Sequence, residues 1–189
     1  MGPGLGRGSA TTEFVREVLS QRPRDHRLVI DADGLVALSE TANWQAFLDP
    51  NVVLTPHSGE LERLVGHELN SEEPAWVQAG QLAKQWGCVL IAKGPFTCVA
   101  APDGKVDVWP RSNPALATGG TGDVLAGVTA GLLAQGAQPW DAARLAVGIH
   151  ALAAERIVHA RRWRTLLASD LFYELPAVLA ELSRATPPQ

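Results

Sequence analysis

Apolar and polar positions along the chain form short continuous apolar runs separated by longer amphipathic stretches. The first half holds three such runs, at 27–31, 51–54 and 88–92, and each is followed by polar residues. A run of this length without polar interruption is typical of a parallel strand that is buried on both faces. We therefore predict three buried parallel strands in this half of the chain.

Two further short runs predict an antiparallel hairpin at about 97–109. They flank the segment Pro102-Asp-Gly-Lys105, and Asp-Gly between two apolar runs favours a tight turn. We expect this hairpin to form one edge of the otherwise parallel sheet.

Helical patterns fill most of the remaining chain. In the stretch 72–86, five apolar residues are predicted to share one helical face: Trp76, Val77, Leu82, Ala83 and Trp86. The first helix has Thr11 or Thr12 as its expected N-cap. The predicted helices cover 11–20, the run that ends at Val65, 72–86, about 123–135, 139–159 and 169–183. Strands alternating with helices, followed by a helical block, predict an α/β fold with an open, mainly parallel sheet sandwiched by helices.

The composition fits a single domain over residues 1–189. Apolar residues make up 46% of the chain, which is typical of globular rather than disordered proteins. The net charge of −4 gives no indication of a nucleic-acid partner. No apolar run reaches the ~18 residues of a membrane span, and no secretion signal is present, so we expect a cytoplasmic protein without a membrane partner. Cys88 and Cys98 lie in apolar runs and are expected to be buried thiols.

The strongest candidate for chemistry is a glycine-rich turn that leads into a helix. Gly119, Gly120, Thr121 and Gly122 are followed at once by Asp123. Free backbone N–H groups and the positive end of the helix dipole make such a turn an anion site. Asp123 is then placed to take a proton from a hydroxyl group that attacks phosphorus. The alternative is that Asp123 only stabilises the helix dipole, with no catalytic role.

Polar residues also follow each predicted parallel strand. Asp31 and Asp33 come after the first strand, His57 and Glu60 after the second, and Lys93 after the third. Ligands bind at the carboxyl ends of strands in open α/β sheets, so these side chains are candidates for a common site. For each there is a purely structural alternative: the acids can cap a turn or helix, and Lys93 can belong to a simple hairpin loop.

Five motifs extend this pattern over nearly the whole chain. They are GPGLG at 2–6, DADGL at 31–35, TPHSGE at 55–60, KGPFT at 93–97 and NPALATGGTGDVLAG at 113–127. With these motifs the chain resembles the ADP- or ATP-dependent NAD(P)H-hydrate dehydratases, a branch of the ribokinase-like superfamily. GGTGD alone indicates only the superfamily, whereas TPHSGE together with the long motif is much more specific to the dehydratase branch. The resemblance implies a ribokinase-like fold.

The resemblance also implies a repair reaction on NADH and NADPH that have taken up water across a ring double bond. Members of the family act on the S epimer: ADP, or in some members ATP, phosphorylates the ring hydroxyl. When ADP is the donor, AMP and phosphate are released as NAD(P)H is restored. Phosphate is a better leaving group than hydroxide, so a kinase-like site can drive a dehydration. ADP (or ATP) is implied as co-substrate and Mg²⁺ as the metal.

Site residues follow from the same resemblance. Asp123 is expected to be the catalytic base, and Gly119, Gly120, Thr121 and Gly122 to form the anion hole. Contacts to the hydrated cofactor are implied for Gly4, His57 and Asp123. Glu60 falls where kinase relatives place an acid that supports Mg²⁺ through water. The nucleotide-binding residues implied are Lys93, Gly94, Pro95, Phe96, Thr97 and Gly122.

The chain departs from the family pattern in three places. Gly34 stands where the family more often has Ala, and Leu116 replaces a commoner Met. The chain also begins directly at its Gly-Pro-Gly turn, where a preceding strand is expected. We therefore expect a domain that lacks its N-terminal part, with an unpaired sheet edge. The resemblance further implies homo-oligomers and a functional pairing with an NAD(P)H-hydrate epimerase.

Two other functions remain open from the sequence. One is a ribokinase-like kinase that phosphorylates a hydroxymethyl-pyrimidine or thiazole alcohol, which would keep Asp123 and the anion turn but has less reason to keep TPHSGE. The other is an inactive fragment that binds nucleotide without turnover. Release of AMP from ADP that depends on hydrated NADH separates the dehydratase from both.

Overall fold

A computed structural model describes residues 1–162 and 165–185. Its centre is a five-stranded sheet in the order β1-β2-β3-β4-β5. β1, β2 and β3 are parallel neighbours, whereas β4 and β5 are antiparallel. The strands are β1 Leu28–Ile30, β2 Val52–Leu54, β3 Val89–Ala92, β4 Cys98–Ala100 and β5 Val106–Val108. This confirms the α/β class, the three predicted parallel strands and the hairpin at about 97–109.

Seven α-helices surround the sheet in the described part of the chain. They are α1 Ser9–Gln21, α2 Asp33–Ser39, α3 Ser58–Val65, α4 Ala75–Trp86, α5 Thr121–Ala134, α6 Pro139–Arg161 and α7 Ala168–Ala185. None of the described helices has both the length and the apolar character that a bilayer crossing requires.

The two faces of the sheet bury different residues because side chains alternate along a strand. Ile30, Leu54 and Leu90 pack with α1 to α4 on one face. Val53 and Val89 pack with α5 and α6 on the other. A third cluster joins α5, α6 and α7. The helices therefore cover both faces of the sheet, as the sequence predicted.

Both cysteines are buried and free of disulfide bonds, as expected. Burial raises the pKa of the Cys98 thiol to about 11, and burial with the nearby Asp49 carboxylate also raises the pKa of Cys88. Neither thiol is therefore poised to react as a thiolate at neutral pH.

Two helical predictions were wrong in detail. α1 begins at Ser9 after Gly8, so neither Thr11 nor Thr12 is its N-cap. In α4, Trp76 and Val77 are 45% and 38% exposed. Ala83 and Trp86 are buried as predicted, and Ala79 and Gly80 complete the buried face in place of Trp76 and Val77. A Cβ at Gly80 would lie 2.9 Å from Val106 on β5, so small residues allow α4 to lie close to the hairpin.

The turn at 2–6 packs tightly against the end of β1. A Cβ on Gly2 would lie 1.7 Å from the Asp31 carbonyl oxygen, and the φ of Gly2 is +145°. A Cβ on Gly34 would lie 3.0 Å from Gly2 Cα and from the Met1 carbonyl oxygen. Glycine at 34, where the family pattern favours Ala, therefore accommodates the close approach of this turn.

The outer edge of β1 is partly paired by Met1. The Met1 amino group donates to the Val29 carbonyl at 2.7 Å, and the Asp31 amide donates to the Met1 carbonyl at 3.1 Å. Farther along this edge is a shallow groove of about 400 Å³ between β1 and α5, bordered by Arg27, Val29 and Leu133.

Candidate active site

Lys93, directly after β3, lies at the centre of a cluster of charged side chains. Its ammonium nitrogen is 2.8 Å from Asp31 Oδ1 and 3.8 Å from Glu60 Oε2. The Lys93 side chain is 20% exposed, whereas the Asp31 side chain is only 1% exposed. Asp31 therefore binds the ammonium group of Lys93 from the protein interior, and the solvent-facing side of that group remains accessible to a ligand.

The parallel sheet explains why these residues meet. β1, β2 and β3 end at the same edge, so Asp31, Thr55 and Lys93 emerge side by side. The ladder continues past β2 and β3, because His57 and Lys93 form a parallel bridge and the Lys93 amide donates to the Pro56 carbonyl at 2.8 Å. The TPHSGE and KGPFT motifs are thereby joined along their backbones.

His57 and Glu60 close the N-terminus of α3 with a reciprocal capping box. The His57 amide donates to Glu60 Oε2 at 2.8 Å, and the Glu60 amide donates to His57 Nδ1 at 3.3 Å. This arrangement satisfies two amides that the helix itself leaves unpaired. The His57 side chain is nonetheless mostly exposed, so its ring lies open to a ligand.

The predicted anion turn is shorter than expected because α5 begins at Thr121 rather than near Asp123. Gly120, with φ of +86°, is the residue that precedes the helix, and a left-handed conformation of this kind favours glycine. Thr121 is buried, and its single hydroxyl proton is shared between the carbonyls of Leu116 and Thr118, which lie 2.6 and 2.8 Å from the hydroxyl oxygen. These bonds attach the first turn of α5 to the preceding loop.

Two amides of that first turn are available to an anion. The Thr121 and Val124 amides donate to the Thr118 and Gly120 carbonyls, whereas no acceptor among the described residues pairs with the amides of Gly122 and Asp123. A Cβ built on Gly122 would lie 3.2 Å from Lys93 Nζ. The open amides, the helix dipole and the lysine therefore share one small region. Asp123 is exposed beside them.

His150, on α6, contacts the first turn of α5 from within the protein. The sequence did not predict a role for this residue. It is 6% exposed, and its Nε2 lies 2.9 Å from the Thr121 carbonyl. Because a carbonyl only accepts, Nε2 must carry the proton. Burial lowers the pKa of His150 to about 4, the hydrogen bond to Thr121 opposes this, and Lys93 lowers the pKa further. His150 is therefore neutral at physiological pH.

The loop after Lys93 and the turn at 2–6 border the same edge of the sheet. Gly94, Pro95 and Phe96 are exposed, and Thr97 is half-buried. Gly4 is exposed with φ of +75°. Its turn is held by Asp33, whose Oδ2 accepts from the Gly6 amide at 2.9 Å.

The structure separates the roles of the two acids in DADGL. Asp33 binds the glycine turn and has Arg7 as an ion-pair partner at 3.4 Å, whereas Asp31 binds Lys93. The strand-end rule singled out both acids without distinguishing them. His150 had no comparable signal, because it lies within a long alanine-rich helix.

Within residues 1–162 and 165–185, no three His, Cys, Asp or Glu side chains lie close enough together to hold a metal by themselves. A Mg²⁺ site does not require such a cage, because Mg²⁺ commonly binds one or two carboxylates together with substrate phosphates and water. Glu60, 12% exposed and next to Lys93, is a carboxylate that fits a water-mediated contact of this kind.

Comparisons with known proteins point to one family. The family model described as NAD(P)H-hydrate dehydratase matches residues 1–177. The chain is 41% identical over 184 residues to the bifunctional NAD(P)H-hydrate repair enzyme Nnr of Moorella thermoacetica, covering 96% of this chain and 34% of that protein. It is 35% identical over 187 residues to the ADP-dependent (S)-NAD(P)H-hydrate dehydratase of Xanthomonas campestris pv. campestris, covering 97% and 62%.

A solved structure gives the same result for the fold. The ADP/ATP-dependent NAD(P)H-hydrate dehydratase from Bacillus subtilis, co-crystallised with ATP/Mg²⁺, matches with a TM-score of 0.79 at 34% identity, covering 96% of this chain and 63% of that one. The chain spans about a third of the length of the bifunctional relatives and less than two thirds of the Xanthomonas enzyme. From its motifs, its fold and these matches, the chain belongs to the NAD(P)H-hydrate dehydratase family.

Proposed function

We propose that this chain catalyses the ADP-dependent dehydration of the S epimer of hydrated NADH and NADPH. The observation that carries the proposal is the grouping of Lys93, the open amides of Gly122 and Asp123, and the exposed Asp123 carboxylate around one space. A cation and unpaired amides suit a phosphate group, and a carboxylate beside them suits a hydroxyl that attacks it. The Xanthomonas relative carries this activity in its name.

The first step is phosphoryl transfer to the ring hydroxyl. The hydroxyl oxygen bonds to the β-phosphorus of ADP as the bond to AMP breaks, and its proton passes to Asp123. A carboxylate is a weak base, so Asp123 is proposed to accept the proton late, as the oxygen gains its bond to phosphorus. The turn formed by Gly119, Gly120, Thr121 and Gly122 is proposed to stabilise the charge on the transferred group through its open amides and the helix dipole. Thr121, whose amide is paired with the Thr118 carbonyl, is proposed to fix the turn rather than to bind the anion.

The second step restores the cofactor. The phosphate leaves with the electrons of the carbon–oxygen bond, and a proton is lost from the neighbouring ring carbon as the double bond returns. The proposed binding surface for the ring is formed by Gly4, His57 and Asp123, all three of which are exposed. His57 follows β2 and is bridged to Lys93, and Asp123 lies in the first turn of α5.

The nucleotide is proposed to lie along the Lys93–Thr97 loop and over Gly122. Lys93 offers a point charge to the phosphates, and the exposed Phe96 ring offers an apolar surface for the base. Mg²⁺ bound with the nucleotide would neutralise phosphate charge. Glu60 is proposed to orient water in that metal's outer shell.

We also infer that the chain works with an NAD(P)H-hydrate epimerase and forms homo-oligomers. The bifunctional names of several relatives support the pairing. On α7, the exposed apolar side chains of Phe172, Tyr173 and Leu179 provide a surface that suits association. A cytoplasmic location stays a prediction from the sequence.

The activity is tested by incubating this chain with hydrated NADH, ADP and Mg²⁺. The dehydratase assignment predicts that the absorbance of the intact dihydronicotinamide ring returns, with AMP and phosphate released in equal amounts. The same mixture without ADP should remain unchanged. A phosphorylated alcohol as the product with pyrimidine or thiazole alcohols, and no recovery of NADH, would instead assign the chain to the kinases.

Replacing Gly122 by Ala is expected to reduce turnover about tenfold without destabilising the protein. The new Cβ would lie 3.2 Å from Lys93 Nζ and displace the ammonium from the open amides. Such a shift costs about 1.4 kcal/mol of transition-state stabilisation. Steady-state kinetics and a thermal melt of the same sample measure both effects.

Gly127→Ala is the matched control for this variant. Gly127 also lies in α5, but nothing surrounds the position of its Cβ within 4 Å. Alanine favours a helix interior over glycine by up to about 1 kcal/mol, so this control should melt slightly higher with full turnover. Equal turnover of both variants would contradict the prediction, because it would show that a Cβ at position 122 does not disturb the catalytic position of Lys93.

A further inference from the structure

We propose that Asp31 is a positioning residue that holds the Lys93 ammonium against the first turn of α5. The proposal rests on the proposed function, because it assumes that Lys93 meets a nucleotide phosphate. Asp31 itself does not contact the substrate in this scheme. It acts through Lys93, to which it is bound at 2.8 Å.

Burial distinguishes Asp31 from the other carboxylates near the site. Its side chain is 1% exposed, and Oδ2 has no hydrogen-bond partner among the described residues. A buried carboxylate is costly unless it is paired with a positive charge. The Met1 amino group lies near enough for Asp31 to partly offset the burial that lowers the pKa of that amine, yet it donates to the Val29 carbonyl. Lys93 is therefore the ion-pair partner of Asp31.

Glu60 is less suited to this task. It lies 3.8 Å from Lys93 Nζ, beyond hydrogen-bond distance, and Oε2 already accepts from the His57 amide in the capping box. Lys93 is thus bonded to Asp31 and only attracted by Glu60. The direction of the lysine side chain is set by the shorter contact.

The backbone around Asp31 is fixed on both sides. Its amide donates to Met1 and its carbonyl accepts from Gly34 at 3.0 Å. The Gly2 backbone lies so close to the same carbonyl that no Cβ fits between them. A carboxylate on such a rigid support can hold a flexible lysine in one place, which removes part of the entropy cost of ordering the ammonium when phosphate binds.

The sign of the effect on ADP binding separates positioning from simple charge. If Asp31 acted only as a negative charge near the phosphates, Asp31→Asn would tighten ADP binding. Positioning predicts the opposite. The dissociation constant of ADP should rise about fivefold, because the freed ammonium must be ordered when ADP binds. Asp31→Glu keeps the charge but moves the carboxylate, so it should also weaken ADP binding.

A double-mutant cycle with Lys93→Met tests whether Asp31 acts through the lysine. The dissociation constant of ADP with Mg²⁺ is measured by calorimetry for the wild type, Asp31→Asn, Lys93→Met and the double variant. Asp31→Asn should raise it about fivefold when Lys93 is present and less than twofold when it is absent. Asp49→Asn is the control, because Asp49 is a partly buried carboxylate paired with Arg22 and Arg24 away from the site.

Each outcome decides the proposal. Tighter or unchanged ADP binding in Asp31→Asn contradicts it, and so does an equal loss in both Lys93 backgrounds or an equal loss in Asp49→Asn. Should Asp31→Asn fail to fold, the Asp31→Glu comparison takes its place. If the wild type binds ADP but does not dehydrate hydrated NADH, the proposed function is refuted. The double-mutant cycle then still tests the role of Asp31 in ADP binding. A wild type that does not bind ADP refutes both.

Discussion

Asp123→Asn is expected to lower turnover of hydrated NADH about 10³-fold. The amide has nearly the same shape as the carboxylate but cannot take the hydroxyl proton, and general-base catalysis contributes about 10² to 10⁴ in rate. Asp123 is exposed in the first turn of α5, so the substitution creates no cavity. The value of kcat at saturating ADP measures the loss, and binding of ADP should change little.

Asp141→Asn is the matched control for that substitution. Asp141 is also an exposed acid in the first turn of a helix, at the start of α6. Each substitution removes a favourable interaction with a helix dipole, worth about 0.3–1 kcal/mol, so both variants should melt slightly lower. Only Asp123→Asn should lose activity. Turnover within tenfold of the wild type would mean that Asp123 is not the base.

The second large effect expected is a loss of stability in mild acid that comes from His150. Its pKa is about 4 in the folded protein because of burial, against an ordinary value of 6.5. The unfolded chain therefore binds this proton more readily, and the free energy of unfolding falls as the pH drops from about 6.5 to 4. At about 1.4 kcal/mol for each pH unit, the loss amounts to about 3 kcal/mol.

Urea unfolding at a series of pH values measures this loss. His150→Gln keeps a donor for the Thr121 carbonyl but does not titrate, so its stability should fall less than that of the wild type over the same interval. His159→Gln, which replaces an exposed histidine on the same helix, should follow the wild type. Parallel curves for the wild type and His150→Gln would show that the pKa of His150 is the same in the folded and the unfolded chain.

The local sequence was sufficient for the strands and the hairpin. Continuous apolar runs gave β1, β2 and β3 because a strand buried on both faces has no polar positions. Asp103 and Gly104 gave the hairpin turn, in which Gly104 has φ of +89° and the Asp103 carboxylate accepts from the Lys105 amide. These features depend on neighbours in sequence, so pattern and turn chemistry predict them.

The starts of the helices were less predictable. The sequence predicts Thr11 or Thr12 as the N-cap of α1, but the helix begins at Ser9 behind Gly8 and contains both threonines. The strand-end pattern predicts a ligand contact for His57, and the structure shows that His57 caps α3 together with Glu60. Several residue types can occupy such a boundary, so local preference is weak there.

The sequence by itself determined that this chain forms an α/β sheet sandwiched by helices, with candidate residues at the strand ends, since periodicity and motif order are local properties. Only the tertiary structure decided which of these residues work together. Asp31 and Lys93 are 62 positions apart, and Thr121 and His150 are 29 apart. The first pair meets because parallel strands end at one edge of the sheet, and the second because α5 and α6 pack together on one face.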